Sequence, residues 1–503
     1  MLKKSWSWRR ILASTATRSV QRPRLRVEAL EDRSVPATHT WTALGGSFDW
    51  SDAGNWDAAG KPTSNEPGGT IVVMPVNDDP VQDIPNLTIA SIEFKAPTAV
   101  TLQLTQPLTI DGTAASDNII NTSGNNTITG SSINLVGGSC FIPVTGGSLT
   151  IVSPMTGNVG MNKFGPNTLT LGNGDTGANT YTGSTTVADG TLVLNKADGT
   201  DALTGSVIIG DGTGTDILRL QNNNQINDGV VLTFDSGGDF NSAKFELNGF
   251  DETVAGIATL VAGQVPVIQN TESVAPAGPN EPAVLTINNT THSTYDGIIR
   301  NNFGAPNGTL ALVKRGIGTL TRSDTGGFTS DYSGGTTIED GTLQYTNVKA
   351  LGTGDVTLGN AATPAGHTPK LLAAATTDTT LANNIIVRVD GSVIGSVDDA
   401  VNIPIATFSG TVPSTPPGSS WRAAAASERR SPARSPAPAA SSSRARPPAG
   451  AWYWTTTRST RTTLLAPWSS TPVPRCSRHS TPSRSRSRSG PWSTSPMPGP
   501  RSV

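Results

Sequence analysis

One phrase occurs twice in the sequence, with the same internal spacing. Residues 168–194 read TLTLGNGDTGANTYTGSTTVADGTLVL, and residues 319–345 read TLTRSDTGGFTSDYSGGTTIEDGTLQY. In each copy an opening and a closing leucine stand 23 residues apart; the pairs are Leu169 with Leu192 and Leu320 with Leu343. Alternating Thr with Leu or Val is typical of half-buried strands, and the Gly, Asn and Asp clusters between them are typical of turns. The spacing predicts an all-β solenoid, a right-handed parallel β-helix with these leucines facing inward.

The repeated phrase resembles the autotransporter-associated β-strand repeat, whose pattern runs roughly K-x-G-x-G-T-L-x-L and then N-x-Y-x-G-x-T-x-V-x-x-G-T-L-x-L-N. Lys163-Phe164-Gly165 opens the first copy, and Lys314-Arg315-Gly316-Ile317-Gly318 opens the second. Leu194-Asn195 closes the first copy as the pattern requires. The copies depart from the pattern at Asn167, which replaces the second lead-in glycine, and at Tyr345, which replaces the final leucine.

The resemblance extends over roughly residues 37–410, with repeats near 158–260 and 311–400. The stretch FELNGFDETVAGIATL at 245–260 resembles the segment that separates repeats in this family. The resemblance implies a surface or secreted scaffold, and it brings no catalytic residue of the family with it. If each coil takes roughly 20 residues, the body forms about 18 coils.

The charge is distributed very unevenly along the chain. Residues 1–36 carry nine Lys and Arg against three acids, and residues 37–420 carry 13 against 34. Residues 421–503 carry 14 Arg and a single acid, Glu428, so the total of −2 conceals a basic leader, an acidic body and a basic tail. Such asymmetry invites a nucleic-acid interpretation of the basic end.

The composition of the tail, residues 411–503, indicates a frameshift product instead. Beyond residue 420 it contains no Lys, Asp, Asn or Ile and is built from Arg, Ser, Pro, Ala and Thr. Because Trp has one codon, the codons around Trp452, Trp468 and Trp492 can be read one base earlier, and they then permit L-V-L-D, G-T-L-V-L-N and T-L-V, the words of the repeat. We therefore expect a disordered tail without a site, and no nucleic-acid partner for SRSRSRSG at 483–490.

The leader, residues 1–36, is basic and is expected to be a disordered targeting segment. RLRVEALEDRSVPAT at 24–38 resembles the L-E-x-L-E-D-R-x-x-P-A segment of many exported planctomycete proteins, with Val27 in place of the first leucine. Its only apolar run, Ile11-Leu12-Ala13, is shorter than the core of a secretory signal. No stretch of the sequence is apolar over the length of a transmembrane helix.

Three tryptophans just after the leader, Trp41, Trp50 and Trp56, are the first candidate for a binding site. Exposed aromatic rings can stack on sugars, so the trio could form a glycan platform. The alternative is a hydrophobic cap on the first coil, because the ends of a solenoid need protection. The sequence favours the cap.

Two acidic strings could supply oxygen ligands for calcium. Asp211-Gly212-Thr213-Gly214-Thr215-Asp216-Ile217-Leu218 approaches the nonapeptide G-G-x-G-x-D-x-U-x, although it occurs once and Asp211 replaces a glycine. Asn77-Asp78-Asp79-Pro80 is the second string. A plain turn for the first string and a solvated loop for the second are the favoured interpretations, so no metal site is expected.

The sequence contains no pattern that is typical of a catalytic site. Carboxylates are scattered over Asp-Gly turns, among them Asp189, Asp198 and Asp340, whereas glycosidases need two placed carboxylates. Three histidines occur before the tail and none has metal-ligand spacing to another; they are His39, His292 and His367. Cys140 and Cys476 give no disulfide framework. We expect no catalytic residue, no cofactor and no disulfide.

The sequence thus predicts a non-enzymatic β-helical scaffold, adhesin-like, located outside the cell or at its surface in association with the outer membrane. Its partner is unknown, and a glycan is one candidate. The alternative function is a carbohydrate-active enzyme or a glycan-binding module on the same fold. Carboxylates gathered in one groove would favour the alternative, and carboxylates dispersed around the solenoid would favour the scaffold.

Overall fold

The computed structural model describes residues 35–397, apart from 65, 114, 272–280, 302–307, 325–326 and 375–378, together with four short strands beyond them. Nearly all of the expected leader, and all of the expected tail except three of those strands, lie outside the described residues, so the disorder of both segments stays a prediction. The chain divides into two units, Met1–Leu464 and Leu465–Val503, and the first contains the solenoid.

The regular secondary structure of the described residues consists almost entirely of short strands. The first are β1 Ala37–Thr40, β2 Thr70–Met74, β3 Val81–Gln82, β4 Leu87–Ile89, β5 Ser91–Phe94, β6 Thr101–Leu104, β7 Leu108–Asp111, β8 Ile119–Asn121, β9 Asn125–Gly130, β10 Ile133–Val136, β11 Cys140–Pro143, β12 Ser148–Ile151 and β13 Met155–Gly157. The next are β14 Met161–Phe164, β15 Thr168–Asp175, β16 Thr185–Val187, β17 Gly190–Lys196, β18 Val207–Ile209, β19 Asp216–Leu220, β20 Val231–Phe234, β21 Ala243–Glu246, β22 Glu252–Val254, β23 Gly256–Thr259, β24 Val267–Gln269, β25 Ala283–Asn288, β26 Ser293–Tyr295 and β27 Ile298–Arg300.

The remaining strands are β28 Leu310–Arg315, β29 Thr319–Arg322, β30 Thr336–Ile338, β31 Thr342–Tyr345, β32 Val356–Leu358, β33 Lys370–Ala373, β34 Thr379–Leu381, β35 Ile385–Val387, β36 Val393–Ser396, β37 Ala406–Phe408, β38 Arg422–Ala424, β39 Tyr453–Thr455 and β40 Thr463–Leu465. Two short 3-10 helices, Ala53–Asn55 and Val348–Leu351, interrupt the described strands.

The strands stack into three faces, which the chain visits in a constant order, although several turns have a strand on only two of them. The first face contains the sheets β1-β2-β5-β8, β11-β14-β16-β18-β20-β23 and β26-β29-β31-β33-β36-β38, which follow one another through contacts of β8 with β11 and of β23 with β26. The second face is the ten-stranded sheet from β3 to β27. The third face contains β4-β7-β10-β13 and β22-β25-β28-β30-β32-β35. The strand pairs are parallel, so the fold is a parallel β-helix as expected.

The core is a column of apolar side chains that point inward from the three faces. In the middle of the second face the register stacks one buried residue per turn; these are Leu149, Leu169, Leu192, Leu218, Phe245 and Ile268. Period-2 alternation selects this inward set, and burying each such side chain contributes about 1.5–3 kcal/mol to folding. The four leucines of the repeated phrase are all buried, which confirms their predicted orientation.

The coils are longer than expected, and the turns are therefore fewer than about 18. Paired residues on successive turns are separated by as few as 20 positions, from Leu149 to Leu169, and by as many as 33, from Ala37 to Thr70. The corners between faces account for the difference, because they hold loops of unequal length. The right-handed sense of the coil and the boundaries of the body at 37 and 410 stay predictions. Among the described residues, no helix is long and apolar enough to cross a membrane.

Candidate functional site

The tryptophan trio closes the N-terminal end of the solenoid. Trp41, Trp50 and Trp56 are at most 5% exposed, and the Trp56 ring stands edge-on to the other two at centroid distances of 5.2 and 5.4 Å. Trp56 Nε1 also donates a 2.8 Å hydrogen bond to the Trp50 carbonyl. Because all three rings are covered, the cap interpretation is confirmed, and these rings offer no platform to a sugar.

His39 fastens this cap to the first coil. Its Nδ1 lies 2.7 Å from the Gly60 carbonyl and its Nε2 lies 2.9 Å from Glu66 Oε2. The two ring nitrogens thus link the start of the first coil to the loop that precedes β2. Burial raises the pKa of Glu66, but its hydrogen bonds to His39 and Thr63 outweigh burial and hold that pKa below its usual value.

An open pocket of about 580 Å³ lies beside the cap. Its lining comprises Phe48, Asn77, Asp78, Asp79, Thr98 and Ala99. The loop 77–80 is thus solvent-exposed in part, as expected, but it also forms one wall of a cavity. Phe48 lies on the cap loop, the segment between Trp41 and Trp50. It is 57% exposed and forms another part of the lining. Sequence reasoning missed Phe48, since a single aromatic residue in a loop has no periodicity to mark it.

The first acidic string, Asp211 to Leu218, folds as a turn followed by a strand. The Asp211 carboxylate accepts hydrogen bonds from Thr213 N at 3.0 Å and Thr213 Oγ1 at 2.8 Å, which closes the turn locally. Asp216 begins β19 and points into the core. Within the described ranges, no group of three or more His, Cys, Asp or Glu residues could hold a metal ion.

Asp216 is a buried carboxylate with unusual electrostatics. It has no exposed surface, and neither of its oxygens has a hydrogen-bond partner of ordinary geometry among the described residues. Burial raises its pKa to about 7, with further increases from Asp211 and Asp189, while Lys163 opposes them. The sequence placed Asp216 among possible calcium ligands, and only the inward register of β19 identifies it as a buried acid.

Glu252 is a second buried acid on the third face. Its carboxylate accepts hydrogen bonds from the backbone N–H groups of Gln225, Ile226 and Thr253, at 2.8, 3.2 and 3.0 Å. Burial nevertheless raises its pKa to about 8. Neither acid was singled out for this property from the sequence, because burial is decided by neighbouring coils.

The lead-in lysine of each repeated phrase turns inward and binds the corner that follows it. Lys163 Nζ donates to the carbonyls of Phe164, Gly165 and Asp189, at 3.0, 2.6 and 2.8 Å. Lys314 Nζ makes the equivalent bonds, to Arg315, Gly316 and Asp340, at 2.9, 2.6 and 3.2 Å; neither lysine has exposed surface. Burial lowers the pKa of each lysine to about 8, opposed by Asp189 for Lys163 and by Asp340 for Lys314. An ammonium group has three donors, so each is saturated here.

Two glycines in each copy make room for this corner. Gly165 and Gly316 have φ of +80° and +77°, and a Cβ there would lie 2.5 Å or less from a carbonyl oxygen of the preceding coil. Gly190 and Gly341 have φ of +71° and +68°, and a Cβ there would come within 2.5 Å of Gly165 or Gly316. Side chains are therefore excluded twice, by the left-handed backbone and by the coil beneath.

The tyrosine that occurs in both copies is also an internal residue. Tyr181 and Tyr332 have no exposed surface, and their hydroxyls lie 2.6 and 2.7 Å from the Oγ1 atoms of Thr185 and Thr336. Burial raises the pKa of Tyr332 to about 12 and that of Tyr181 further still. Each hydroxyl thus ties the segment before a strand to that strand, which is β16 for Tyr181 and β30 for Tyr332.

The opening and closing leucines of one copy are direct neighbours in the sheet. Leu169 pairs with Leu192, and Leu320 pairs with Leu343, so each copy is one turn of the helix together with the strand that stacks on it. The copies occupy different sides of the solenoid. The first copy places its lysine strand β14 on the first face and its leucine strand β15 on the second, whereas the second copy places β28 on the third face and β29 on the first.

Comparison with protein families identifies this unit. The family model described as the passenger-associated-transport-repeat matches residues 161–194 and 312–344, the two stretches that contain the networks above. The chain carries autotransporter-associated β-strand repeats. Comparison with the curated proteins and with the solved structures found no match.

The passenger repeats use their own polar residues for internal contacts. The Asp189 carbonyl binds Lys163, and the Asp340 carboxylate lies 2.7 Å from His367 Nδ1. Asp198, just after the first repeat, accepts a 2.9 Å hydrogen bond from Asn223 N of the next coil. These aspartates hold turns and adjacent coils together.

The remaining predicted residues do not converge on a site. His39 lies in the cap, His367 lies beside the second passenger repeat, and His292 Nε2 lies 3.2 Å from Thr294 Oγ1. Cys140 is a buried free thiol, and burial raises its pKa to about 12, which leaves it protonated and unreactive. Cys476 lies outside the described residues.

Proposed function

We propose that this chain is a non-enzymatic, secreted or cell-surface scaffold of the autotransporter passenger type, associated with the outer membrane and adhesin-like in role. One observation carries the proposal. The signature residues of both passenger repeats point into the solenoid and bind neighbouring coils, so the repeats serve to build a β-helix. The loops at the corners are left as the surface through which such a scaffold contacts a partner.

The buried acids support a structural role over a catalytic one. Asp216 and Glu252 have raised pKa values, as a general acid requires, but they are at most 1% exposed. A substrate cannot reach either group. Passenger repeats on a β-solenoid are, in addition, not typical of enzymes.

Surface exposure can be tested by protease treatment of intact cells that produce the full chain. We expect an added protease to cleave the chain while a cytoplasmic marker protein stays intact. A chain that becomes sensitive only after lysis would contradict the proposed location.

Whether surface display depends on the repeats can be tested by replacing their buried lysines. A Lys163→Met, Lys314→Met double variant should reach the surface in smaller amounts, because both corners lose their donors. Lys349→Met is the matched control, since Lys349 is exposed and lies outside both repeat networks. Equal surface amounts for all three proteins would separate the repeats from the proposed function.

A further inference from the structure

The pocket beside the cap combines an aromatic ring with polar groups. Phe48 is one of the most exposed large apolar side chains among the described residues, at 57%, although the rest of the aromatic cap is buried. Asn77 and Asp79 are exposed and Asp78 is half-buried in the same lining. At about 580 Å³ the pocket falls within the ~300–1,000 Å³ usual for small-molecule sites.

The pocket is held in place from two successive coils. On one side the Phe48 carbonyl accepts a 2.7 Å hydrogen bond from Val81 N, which pins the cap loop to β3. On the other side Asn77 Oδ1 accepts from Thr98 N at 3.3 Å and Asp79 Oδ1 accepts from Thr101 N at 2.6 Å. These bonds orient the two side chains and leave the Asn77 amide donors and the second Asp79 oxygen for another molecule. Such preorganisation lowers the cost of binding.

We propose that this pocket binds a neutral oligosaccharide. The C–H face of a sugar ring packs on the negative face of an aromatic ring, and the exposed Phe48 ring lies in the lining beside the polar groups. Sugar hydroxyls are donors and acceptors together, which matches two carboxylates and one amide, and hydrogen bonds to ionised acceptors are the stronger ones. This assignment rests on the proposed surface role, because an extracellular saccharide reaches only an exported protein.

The charge of the pocket sets its specificity. Asp78 and Asp79 place two negative charges in the lining, so a uronic-acid or sulfated saccharide is repelled at low ionic strength. A bridging cation is not required, because the Asn77 amide and the carboxylates of Asp78 and Asp79 can hydrogen-bond to sugar hydroxyls directly. The expected ligand is therefore a neutral sugar bound without calcium.

The test uses the purified full chain and calorimetry in the presence of EDTA. The probes are hexasaccharides of glucose, mannose, xylose and N-acetylglucosamine, with hexagalacturonic acid as the acidic competitor. We expect saturable binding of at least one neutral hexasaccharide and binding of the acidic one that is about tenfold weaker or worse at low salt. Absence of binding by every neutral probe, or tightest binding of the acidic one, would overturn the proposal.

Variants assign the binding to the pocket. Phe48→Ala and Asp78→Asn should each weaken binding about tenfold, and Phe48→Tyr should retain it. Two matched controls should bind as the wild type does: Leu44→Ala, which is on the same cap loop and 82% exposed, and Asp117→Asn, which is exposed elsewhere.

Phe48 is exposed, so thermal unfolding of Phe48→Ala should match the wild type. Undiminished binding by Phe48→Ala would place the sugar elsewhere. Because these measurements use purified protein, they fail or succeed independently of the export experiment.

Discussion

The two passenger repeats have the same internal network but different surroundings. Each has a lysine saturated by three carbonyls, a tyrosine bonded to a threonine, and a leucine stacked on its counterpart. Yet the second copy starts on the third face, whereas the first copy starts on the first face. The repeat therefore specifies how one turn closes on the next, and the lengths of the intervening coils decide which side of the solenoid it occupies.

The neighbours of the two networks also differ. In the first copy Phe164 stacks on Phe141 at 5.8 Å, and Asp216 of the following coil lies close enough to influence the Lys163 ammonium. In the second copy Arg315, which replaces Phe164 in the pattern, makes a 2.6 Å ion pair with Glu339. Because the two networks are equal and their surroundings differ, the contribution of those surroundings to stability can be measured as the difference between matched variants of the two copies.

Removing the lysines should have the largest effect. Lys163→Met and Lys314→Met should each lower the free energy of unfolding by about 3 kcal/mol or more, because three carbonyls lose their donor and each buried unmade hydrogen bond costs about 1–3 kcal/mol. Denaturant unfolding of the full chain measures this, with Lys349→Met as the exposed control. A cost below about 1 kcal/mol in either copy would contradict the network.

The same pair of variants isolates the influence of Asp216. At pH 7.5 Lys163→Met should cost about 1 kcal/mol more than Lys314→Met, since it also removes the cation that faces Asp216. In an Asp216→Asn background that excess should disappear. An excess that persists there must come from another group.

Asp216 should make stability depend on pH in a defined direction. Its pKa is about 7 in the folded chain and about 3.9 when unfolded, so its contribution is fully present below about pH 3.9 and is lost as pH rises through 7. Asp216→Asn should therefore be more stable than the wild type at pH 8, on the order of 2–4 kcal/mol, and the gain should shrink towards pH 4. Unfolding curves across this range provide the measurement, and a gain that is constant with pH would exclude a buried, titrating Asp216.

The tyrosine hydroxyls should contribute less, and equally. Tyr181→Phe and Tyr332→Phe each remove one buried hydroxyl hydrogen bond to a threonine, which is worth about 1 kcal/mol. The matching Thr185→Val and Thr336→Val variants complete two double-mutant cycles. Coupling energies that differ by more than about 0.5 kcal/mol between the copies would show that the networks are not equivalent.

The smallest effect is expected at the ion pair that only the second copy has. Arg315 is 46% exposed in its side chain, so Arg315→Ala should lower the free energy of unfolding by less than about 1 kcal/mol, and added salt should reduce the difference further. Phe164→Ala in the first copy removes an aromatic contact and should be insensitive to salt. Identical salt responses would indicate that the ion pair contributes nothing specific.

The sequence alone was sufficient for the kind of fold and for the interior of each turn. Period-2 alternation requires Leu169 and Leu320 to face one side, and the Gly, Asn and Asp clusters between the strands predicted turns. Three tryptophans at the start of a solenoid predicted a cap, because the exposed end of a β-helix is unstable in water. All of these features arise from residues near one another in the chain.

Tertiary structure decided what depends on the spacing between coils. The sequence suggested coils of roughly 20 residues, but the coil from Glu252 to Leu285, between the two repeats, spans 33 positions, and the second repeat lies on a different face from the first. Stacking also determines that Asp216 is buried in the core within the electrostatic influence of Lys163, and that Phe48 meets Asp78 and Asp79 across a pocket. The physical reason is that a strand carries its own alternation, whereas burial, electrostatics and cavities are set by whichever residues the adjacent turn brings alongside.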